Sequence, residues 1–482
     1  MSDLSRDDVI ALFPDEIVTK AIVRDIDLPG GAGKLALVTL DNGKDHTRPT
    51  TFGPQGMFGM LDAFTALKAR AEAGEIQAVA VTGKPFIFAV GADLGGVSKM
   101  TSTDQALAIA QAGHEAFATF SDIPVPSFAF VNGATMGGGV EMALSAAYRT
   151  ISTGAAAIAL PECFLGILPG WGGCWRTPRL IGAANALKVI VENPLSNNKM
   201  LKPAEALELG LADVMFEAAD FLEESLLWAA KVVSGEITVE RAEVDMSEAT
   251  WAAACAAARK FADGKTGGTA PAPYMAIDIV EAARTDDRAT GFAKEDKALA
   301  ELLTGDVARA GLYAFDLIQR RAKRPEGAPP ANLAAKVTKV GIVGAGLMAS
   351  QMALLFIQRM KVPVVMTDLD QERVDKGVAY VHNELDKLAK KGRLNADSVN
   401  RYKALIKGST SKSDFADAEF VIEAVFEEMG VKQTVFAECE AVVSPECVLA
   451  TNTSSLSIAE MASKLAHPER VVGFHFFNPV AV

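Results

Sequence analysis

The run Val340-Gly-Ile-Val-Gly-Ala-Gly-Leu-Met-Ala349 restricts the fold more than any other stretch of this chain. A short apolar segment leads into Gly344-x-Gly346-x-x-Ala349, Met352 to Met360 continues with helical character, and Val362 to Met366 reads as the next strand, closed by Asp368. Strand, tight glycine turn, helix, strand and acid, in that order, make a βαβ unit of a doubly wound parallel sheet that binds a dinucleotide. Gly344 makes the turn, Gly346 admits the pyrophosphate, and the third position accepts Ala349 because it need only let the helix pack closely on the strand. The Asp368 carboxylate can accept hydrogen bonds from the ribose hydroxyls, which favours NAD over its 2′-phosphorylated relative. A glycine fingerprint alone is weak; the ordered set is not.

Two glycine-rich strings in the first half carry a different chemistry. They are Val131-Asn-Gly-Ala-Thr-Met-Gly-Gly-Gly-Val-Glu141 and Leu160-Pro-Glu-Cys-Phe-Leu-Gly-Ile-Leu-Pro-Gly-Trp-Gly-Gly173. Pro126 to Asn132 reads as a strand and Glu141 to Ala147 as a helix, so Gly137 to Gly139 falls at a helix N-terminus, where partial positive charge collects. A third turn, Val90-Gly-Ala-Asp93, follows the strand-like segments Ala78 to Thr82 and Phe86 to Val90. Together with Ser196 to Phe216, these motifs resemble the enoyl-CoA hydratase (crotonase) family.

That resemblance implies an acyl-CoA thioester as substrate. Adding water to a conjugated enoyl thioester places negative charge on the thioester oxygen, which fixed backbone N–H donors stabilise without reorganising, and glycine lets them come close. By resemblance, those donors are the N–H groups of Ala92 and Gly138. Two carboxylates beside one water can divide acid and base work when their surroundings separate their pKa values. On the family's pattern Glu141 helps to activate the water and Glu162 exchanges the proton at the α-carbon.

Downstream of the dinucleotide motif the chain resembles the 3-hydroxyacyl-CoA dehydrogenase family. Glu423-Ala-Val-Phe-Glu-Glu-Met-Gly-Val-Lys432, Thr451-Asn-Thr-Ser-Ser455 and His475-Phe-Phe-Asn-Pro-Val480 match its motifs, with Thr451 keeping a hydroxyl where the family has serine. Carried over, His475 is the base for the 3-hydroxyl proton, Ser454 a hydrogen-bonding partner of that oxygen, and Glu427 and Lys432 ligand contacts. The family's histidine is oriented by a glutamate further on, and a helical domain then follows. The sequence ends at Val482 before either, so the resemblance implies a cofactor-binding domain without that partner.

The expected architecture is α/β: a crotonase-like domain at 1–217, a helical extension at 218–321, a linker at 322–335 and a Rossmann-type NAD-binding domain at 336–482. The extension is rich in Ala, Leu and Glu, with a helix expected over Met246 to Lys260 and a loop over Phe261 to Pro271. Ala322 to Pro330 is proline-bearing and charged, as linkers are. A chain of 482 residues is too long for one ordinary core.

Composition excludes several classes. A net charge of −13 argues against a nucleic-acid footprint. No apolar run is long enough to span a bilayer, and the acidic, mixed start lacks a signal segment. Five cysteines without metal spacing read as reduced thiols in a cytoplasmic protein, with no metal site. Coenzyme A is a polyanion, so some Lys or Arg must face it, and Lys84 and Lys99 flank the Val90–Asp93 turn.

The order hydratase, helical extension, dehydrogenase is similar to that of α-subunits of bacterial fatty-acid β-oxidation complexes. It implies hydration of trans-2-enoyl-CoA, then NAD-dependent oxidation to 3-ketoacyl-CoA, with a thiolase β-subunit as partner in a hetero-oligomer. Two other readings stand beside it: another crotonase-fold isomerase or dehydratase, and a non-catalytic subunit that docks a thiolase.

Overall fold

The computed structural model describes residues 4–322, 325 and 327–480. The chain divides into two compact units, Met1–Glu326 and Gly327–Val482. The division falls within the proline-bearing stretch read as a linker.

The first unit is built on two sheets. The larger holds β1 (Lys20–Asp27), β2 (Lys34–Asp41), β3 (Ala78–Gly83), β5 (Ser127–Val131), β7 (Tyr148–Ser152) and β9 (Val214–Phe216), in that spatial order. The β1–β2 pair is antiparallel and every later pairing is parallel. Strands β3 and β5 are buried along their whole length, as their largely apolar sequences require of parallel strands covered on both faces. The smaller sheet holds β4 (Ile87–Ala89), β6 (Ala134–Met136) and β8 (Ile158–Ala159), again parallel. Its geometry decides the site, because the three strands end at Val90–Asp93, at Gly137 and at Pro161–Glu162. Parallel pairing, with one irregularity between Ile87 and Ala89, brings those three carboxyl ends to one edge.

The helical extension does not behave as a spacer. Trp251, Cys255, Ala258 and Ala262 of the helix Glu248–Thr266 belong to one buried core with Phe64, Phe117 and Val81 of the sheet region. The helix Arg288–Leu303 places Leu299 and Leu303 in that same core. The loop expected over Phe261 to Pro271 is mostly helix: burial of Ala262 carries the helix on to Thr266, Gly267 caps it at φ 60°, and Pro271 opens the next.

The second unit is a single all-parallel sheet of β10 (Val340–Val343), β11 (Val364–Thr367), β12 (Ile406–Ser409), β13 (Phe420–Glu423), β14 (Val448–Thr451) and β15 (Val471–Gly473). Its spatial order, β12-β11-β10-β13-β14-β15, reverses direction at β10, with β11 on one side and β13 on the other. Ligands of such sheets sit at this switch point, beyond the strands' carboxyl ends. The helix after β10 runs Leu347–Arg359, five residues earlier than the apolar pattern suggests, because Gly346 already adopts an extended N-cap conformation.

Candidate active sites

In the first unit the site grows from backbone that only glycine tolerates. Gly137 ends β6 at φ 53°, and a Cβ there would lie 2.5 Å from Glu162 Oε1. A Cβ on Gly138 would meet the Trp171 ring at 2.6 Å. From the neighbouring strand Gly91, at φ 91°, would place its Cβ 3.8 Å from the Gly138 nitrogen, so the two turns abut. Phe52 fixes the first turn from outside, donating its N–H to Gly91 O at 2.9 Å and accepting from Asp93 N at 2.8 Å. Between those two bonds the Ala92 N–H reaches no protein acceptor among the described residues, and the Gly138 N–H at the start of the helix Gly138–Leu144 reaches none either. Both residues line one cleft with Glu141 and Glu162, walled otherwise by apolar side chains such as Phe52, Met57, Val97 and Leu303.

The two carboxylates have unequal surroundings. Glu141 is 2% exposed, and its Oε1 accepts the N–H groups of Trp171 at 2.7 Å and Gly173 at 2.8 Å. Burial, and next the nearby Glu295, push its pKa up to about 7, while those two N–H bonds pull the other way. Glu162 opens the one-turn helix Glu162–Leu165, is also buried, and its Oε2 has no hydrogen-bond partner among the described residues. Burial first and Glu141 second hold its pKa well above the usual carboxylate range. An unpaired buried carboxyl oxygen is costly and is kept where function needs it. Unequal surroundings of this kind can leave one carboxyl group protonated while the other ionises.

Lys84 is a correction to the sequence reading. It is 3% exposed, and its ammonium donates to Asn42 Oδ1 at 2.7 Å and to the carbonyls of Lys44, Asp45 and Arg48, so it organises the loop after β2 rather than facing a phosphate. Lys99 is exposed and lies in a groove continuous with the cleft, together with Arg309 and Arg321. Sequence reasoning missed a second buried layer, His114, Glu295 and Asp296, which meets at 2.6 and 3.1 Å behind Glu141. A signal was present. Glu295 and Asp296 fall on the apolar stripe Phe292, Leu299 and Leu303 of their helix, where a solvated acid has no place.

The second unit carries the dinucleotide motif as a formed cradle. Gly344 sits at φ 107°, where a Cβ would be 2.7 Å from Ala424 O, and its N–H bonds Thr367 O at 2.7 Å. A Cβ on Gly346 would meet nothing within 4 Å, which leaves the turn open for a ligand to approach, and Ala349 is fully buried under β10. Asp368 Oδ2 accepts the Ala345 N–H at 2.8 Å, tying β11 to the turn. Gly344, Gly346, Asp368 and Phe426 line one cleft at the switch point.

Lys432 departs from its expected role as a ligand contact. It is 1% exposed, and its ammonium is spent on Glu423 at 2.7 and 2.8 Å and on Glu427 at 3.3 Å. Glu427 in turn accepts from the Thr453 hydroxyl and, at 3.1 Å, from the Ser454 N–H. Lys432 is therefore a buried organiser of the Thr451–Ser455 loop, a use that a sequence motif does not distinguish from ligand binding. His475 follows β15 and is exposed, in edge contact with Phe477. Its neighbours are tied to that loop by Phe474 N–H to Thr451 O at 2.9 Å and Phe476 N–H to Asn452 Oδ1 at 2.8 Å, which anchors the segment carrying His475 to the Thr451–Ser455 loop.

All five cysteines are free and buried. Among the described residues no group of His, Cys, Asp and Glu could hold a metal ion, and no helix is long and apolar enough to cross a membrane.

Comparison with known proteins matches residues 32–264 to the enoyl-CoA hydratase/isomerase family and residues 339–482 to the NAD-binding domain of 3-hydroxyacyl-CoA dehydrogenase. Similar solved structures include (S)-3-hydroxybutyryl-CoA dehydrogenase from Ralstonia eutropha, 39% identical over 30% of this chain and 51% of that one, with a TM-score of 0.29. The dehydrogenase part of a multifunctional enzyme from C. elegans is 28% identical over 31% of this chain and 34% of that one, TM-score 0.28. An enoyl-CoA hydratase from Geobacillus kaustophilus is 22% identical over 63% of this chain and 98% of that one, TM-score 0.38. The chain thus spans about half the length of the Ralstonia dehydrogenase it matches. Its two units are thus similar to two families in series, enoyl-CoA hydratase/isomerase over residues 32–264 and the NAD-binding domain of 3-hydroxyacyl-CoA dehydrogenase over residues 339–482.

Proposed function

We propose that the first unit hydrates trans-2-enoyl-CoA to 3-hydroxyacyl-CoA and that the second serves NAD-dependent oxidation of that product to 3-ketoacyl-CoA, two steps of fatty-acid β-oxidation. One observation carries the hydratase reading: Glu162 keeps an unpaired buried oxygen in the cleft that also holds Glu141 and the free N–H groups of Ala92 and Gly138. The thioester oxygen accepts from those two donors. Glu141 takes a proton from water as its oxygen bonds the β-carbon, the double-bond electrons move onto the thioester oxygen, and the Glu162 proton is delivered to the α-carbon as that charge returns. Apolar walls keep bulk water from competing. Lys99 and Arg309 in the adjoining groove are the cations offered to the phosphates of coenzyme A.

In the second unit the open space above Gly346 and the carboxylate of Asp368 fit a bound NAD, which would accept hydride from the hydroxyl-bearing carbon. His475 would take the hydroxyl proton, with Ser454 holding the oxygen and Glu427 anchoring the Ser454 loop. The product suits a thiolase, proposed as the partner subunit, and the reduced buried thiols fit a cytoplasmic setting.

The test is an assay with crotonyl-CoA and NAD in which loss of the enoyl absorbance and gain of NADH are followed separately. Hydration should appear, and Glu162→Gln should lower its kcat by about 100-fold or more with KM little changed. Full turnover in Glu162→Gln would remove the two-carboxylate mechanism.

A further inference from the structure

Behind Glu141 lies a buried charge cluster that the proposed mechanism leaves idle. His114, on the helix Thr103–Ser121, is 5% exposed and presents both ring nitrogens to carboxylates: Nδ1 to Asp296 Oδ1 at 2.6 Å and Nε2 to Glu295 Oε2 at 3.1 Å. An imidazole with an acceptor at each nitrogen must donate from both, so it carries both protons and a positive charge. The ring stacks on Phe292 with centroids 4.2 Å apart, which fixes its plane. Burial works against the charge, yet the bonds to Asp296 and Glu295 outweigh it and raise the histidine to about 9.

Glu295 is fully buried and reaches the turn that holds Glu141. Its Oε2 accepts the Gly172 N–H at 2.6 Å and its Oε1 the Trp175 N–H at 2.7 Å. Glu141 takes the interleaved N–H groups of Trp171 and Gly173 on the same turn. Two carboxylates thus grip one short stretch of backbone from opposite sides. Brought so close, they repel each other unless a cation accompanies one of them.

We propose that His114 is a positioning residue: paired with Glu295 and Asp296, it secures the Trp171–Trp175 turn and offsets the Glu295 charge felt by Glu141. This rests on the hydratase reading for its catalytic consequence, not for its electrostatics. Two other buried groups act on the pair and stay unchanged in the variants: the Glu162 carboxyl group, which repels Glu141, and the Arg176 guanidinium, whose charge both Glu295 and Glu141 feel. On the helix Gly173–Ile181, Arg176 donates to Ser121 Oγ at 3.0 Å and lies over the Phe292 ring; Arg288 is held by Asp122 at 2.6 Å. Asp278 and Glu281 of the helix Pro271–Ala282 are paired with Arg259, and Asp306 with Arg309 on the helix Asp306–Asp316.

The experiment uses the full chain, His114→Asn, Glu295→Gln and the double variant. Removing the cation should raise the proton affinity of Glu141, and removing the Glu295 charge should lower it. The acid limb of kcat for crotonyl-CoA hydration therefore moves up by about one pH unit in His114→Asn and down by about one in Glu295→Gln, with KM nearly constant. In the double variant the two opposite shifts sum to zero within about 0.3 unit, a compensation of sign that a merely structural role would not produce. The infrared carboxyl stretch that disappears in Glu141→Gln titrates with the same shifts, and it reads them even in a chain that hydrates nothing. A failed hydratase reading therefore shows as absent turnover with the infrared shifts intact. Glu295→Gln keeps the side-chain volume but accepts with one oxygen where Glu295 used two, so each single variant is read beside the other and either remains informative if its counterpart does not fold. Coincident titrations in wild type and Glu295→Gln, or shifts of the same sign in both single variants, overturn the inference.

Discussion

Replacing Glu141 by Gln should make the first unit more stable as the pH rises, while abolishing its turnover. Glu141 has its pKa raised from 4.5 in the unfolded reference to about 7, chiefly by burial and then by Glu295. A raised acid contributes stability that is fully present below 4.5 and lost as pH climbs through the folded value. Linkage over that window makes the raised pKa of Glu141 cost about 1.4 kcal/mol at pH 5.5, where only the unfolded chain ionises, and about 3 kcal/mol at pH 8. Gln keeps an oxygen for the Trp171 and Gly173 N–H groups and never ionises. Whatever hydrogen-bond strength it loses is independent of pH and cancels in the comparison, so the variant should gain about 2 kcal/mol relative to wild type between pH 5.5 and pH 8. Relief of the repulsion on Glu162 has the same sign. The four tryptophans, at 171, 175, 228 and 251, all lie in the first unit, so their fluorescence during urea unfolding reports this unit alone. A stability difference that stays flat between the two pH values would refute the reasoning.

Gly138→Pro deletes one oxyanion donor; hydration should fall by about 100-fold, from loss of about 3 kcal/mol of transition-state stabilisation, and unchanged kcat in a folded variant would place the donor elsewhere. Lys432→Met leaves Glu423 buried without its cation, so the second unit should lose about 3–5 kcal/mol, read by calorimetric melting of the NAD-binding domain at neutral pH. Asp368→Ala removes the anchor of the Ala345 N–H and the ribose acceptor together, and titration calorimetry should show NAD binding weakened by about tenfold or more. Equal affinity in wild type and Asp368→Ala would count against the cradle.

Much of the molecule is legible in the order of residues, because the constraints there are local. Gly344-x-Gly346-x-x-Ala349 between an apolar strand and a helix fixes a βαβ turn by sterics alone, and the structure holds Gly344 at φ 107°, where a side chain would strike Ala424 O. The parallel sheets follow from apolar runs too buried for one-sided strands. The grouping of Val90–Asp93, Gly137–Gly138 and Glu162 at one edge could be anticipated only through family resemblance. Its physical cause is the small parallel sheet of three strands two or three residues long, whose pairing is non-local and leaves no periodic signal.

Side-chain use was decided by tertiary structure. Lys84 and Lys432 look alike as cations in a motif, yet one closes a loop of carbonyls and the other neutralises Glu423, because each found acceptors brought in from distant segments. The helical extension reads as an ordinary Ala-rich segment; packing turns it into a wall of the cleft and the source of Glu295. The sequence by itself determined the two families of turns and the strand–helix order, since those depend on what each residue's backbone can do. Which carboxylates are buried, which N–H groups are left free and which histidine is charged depend on who lies within hydrogen-bond reach across the chain, as Glu295 does at 3.1 Å from His114, 181 residues away, and only the folded chain specifies that.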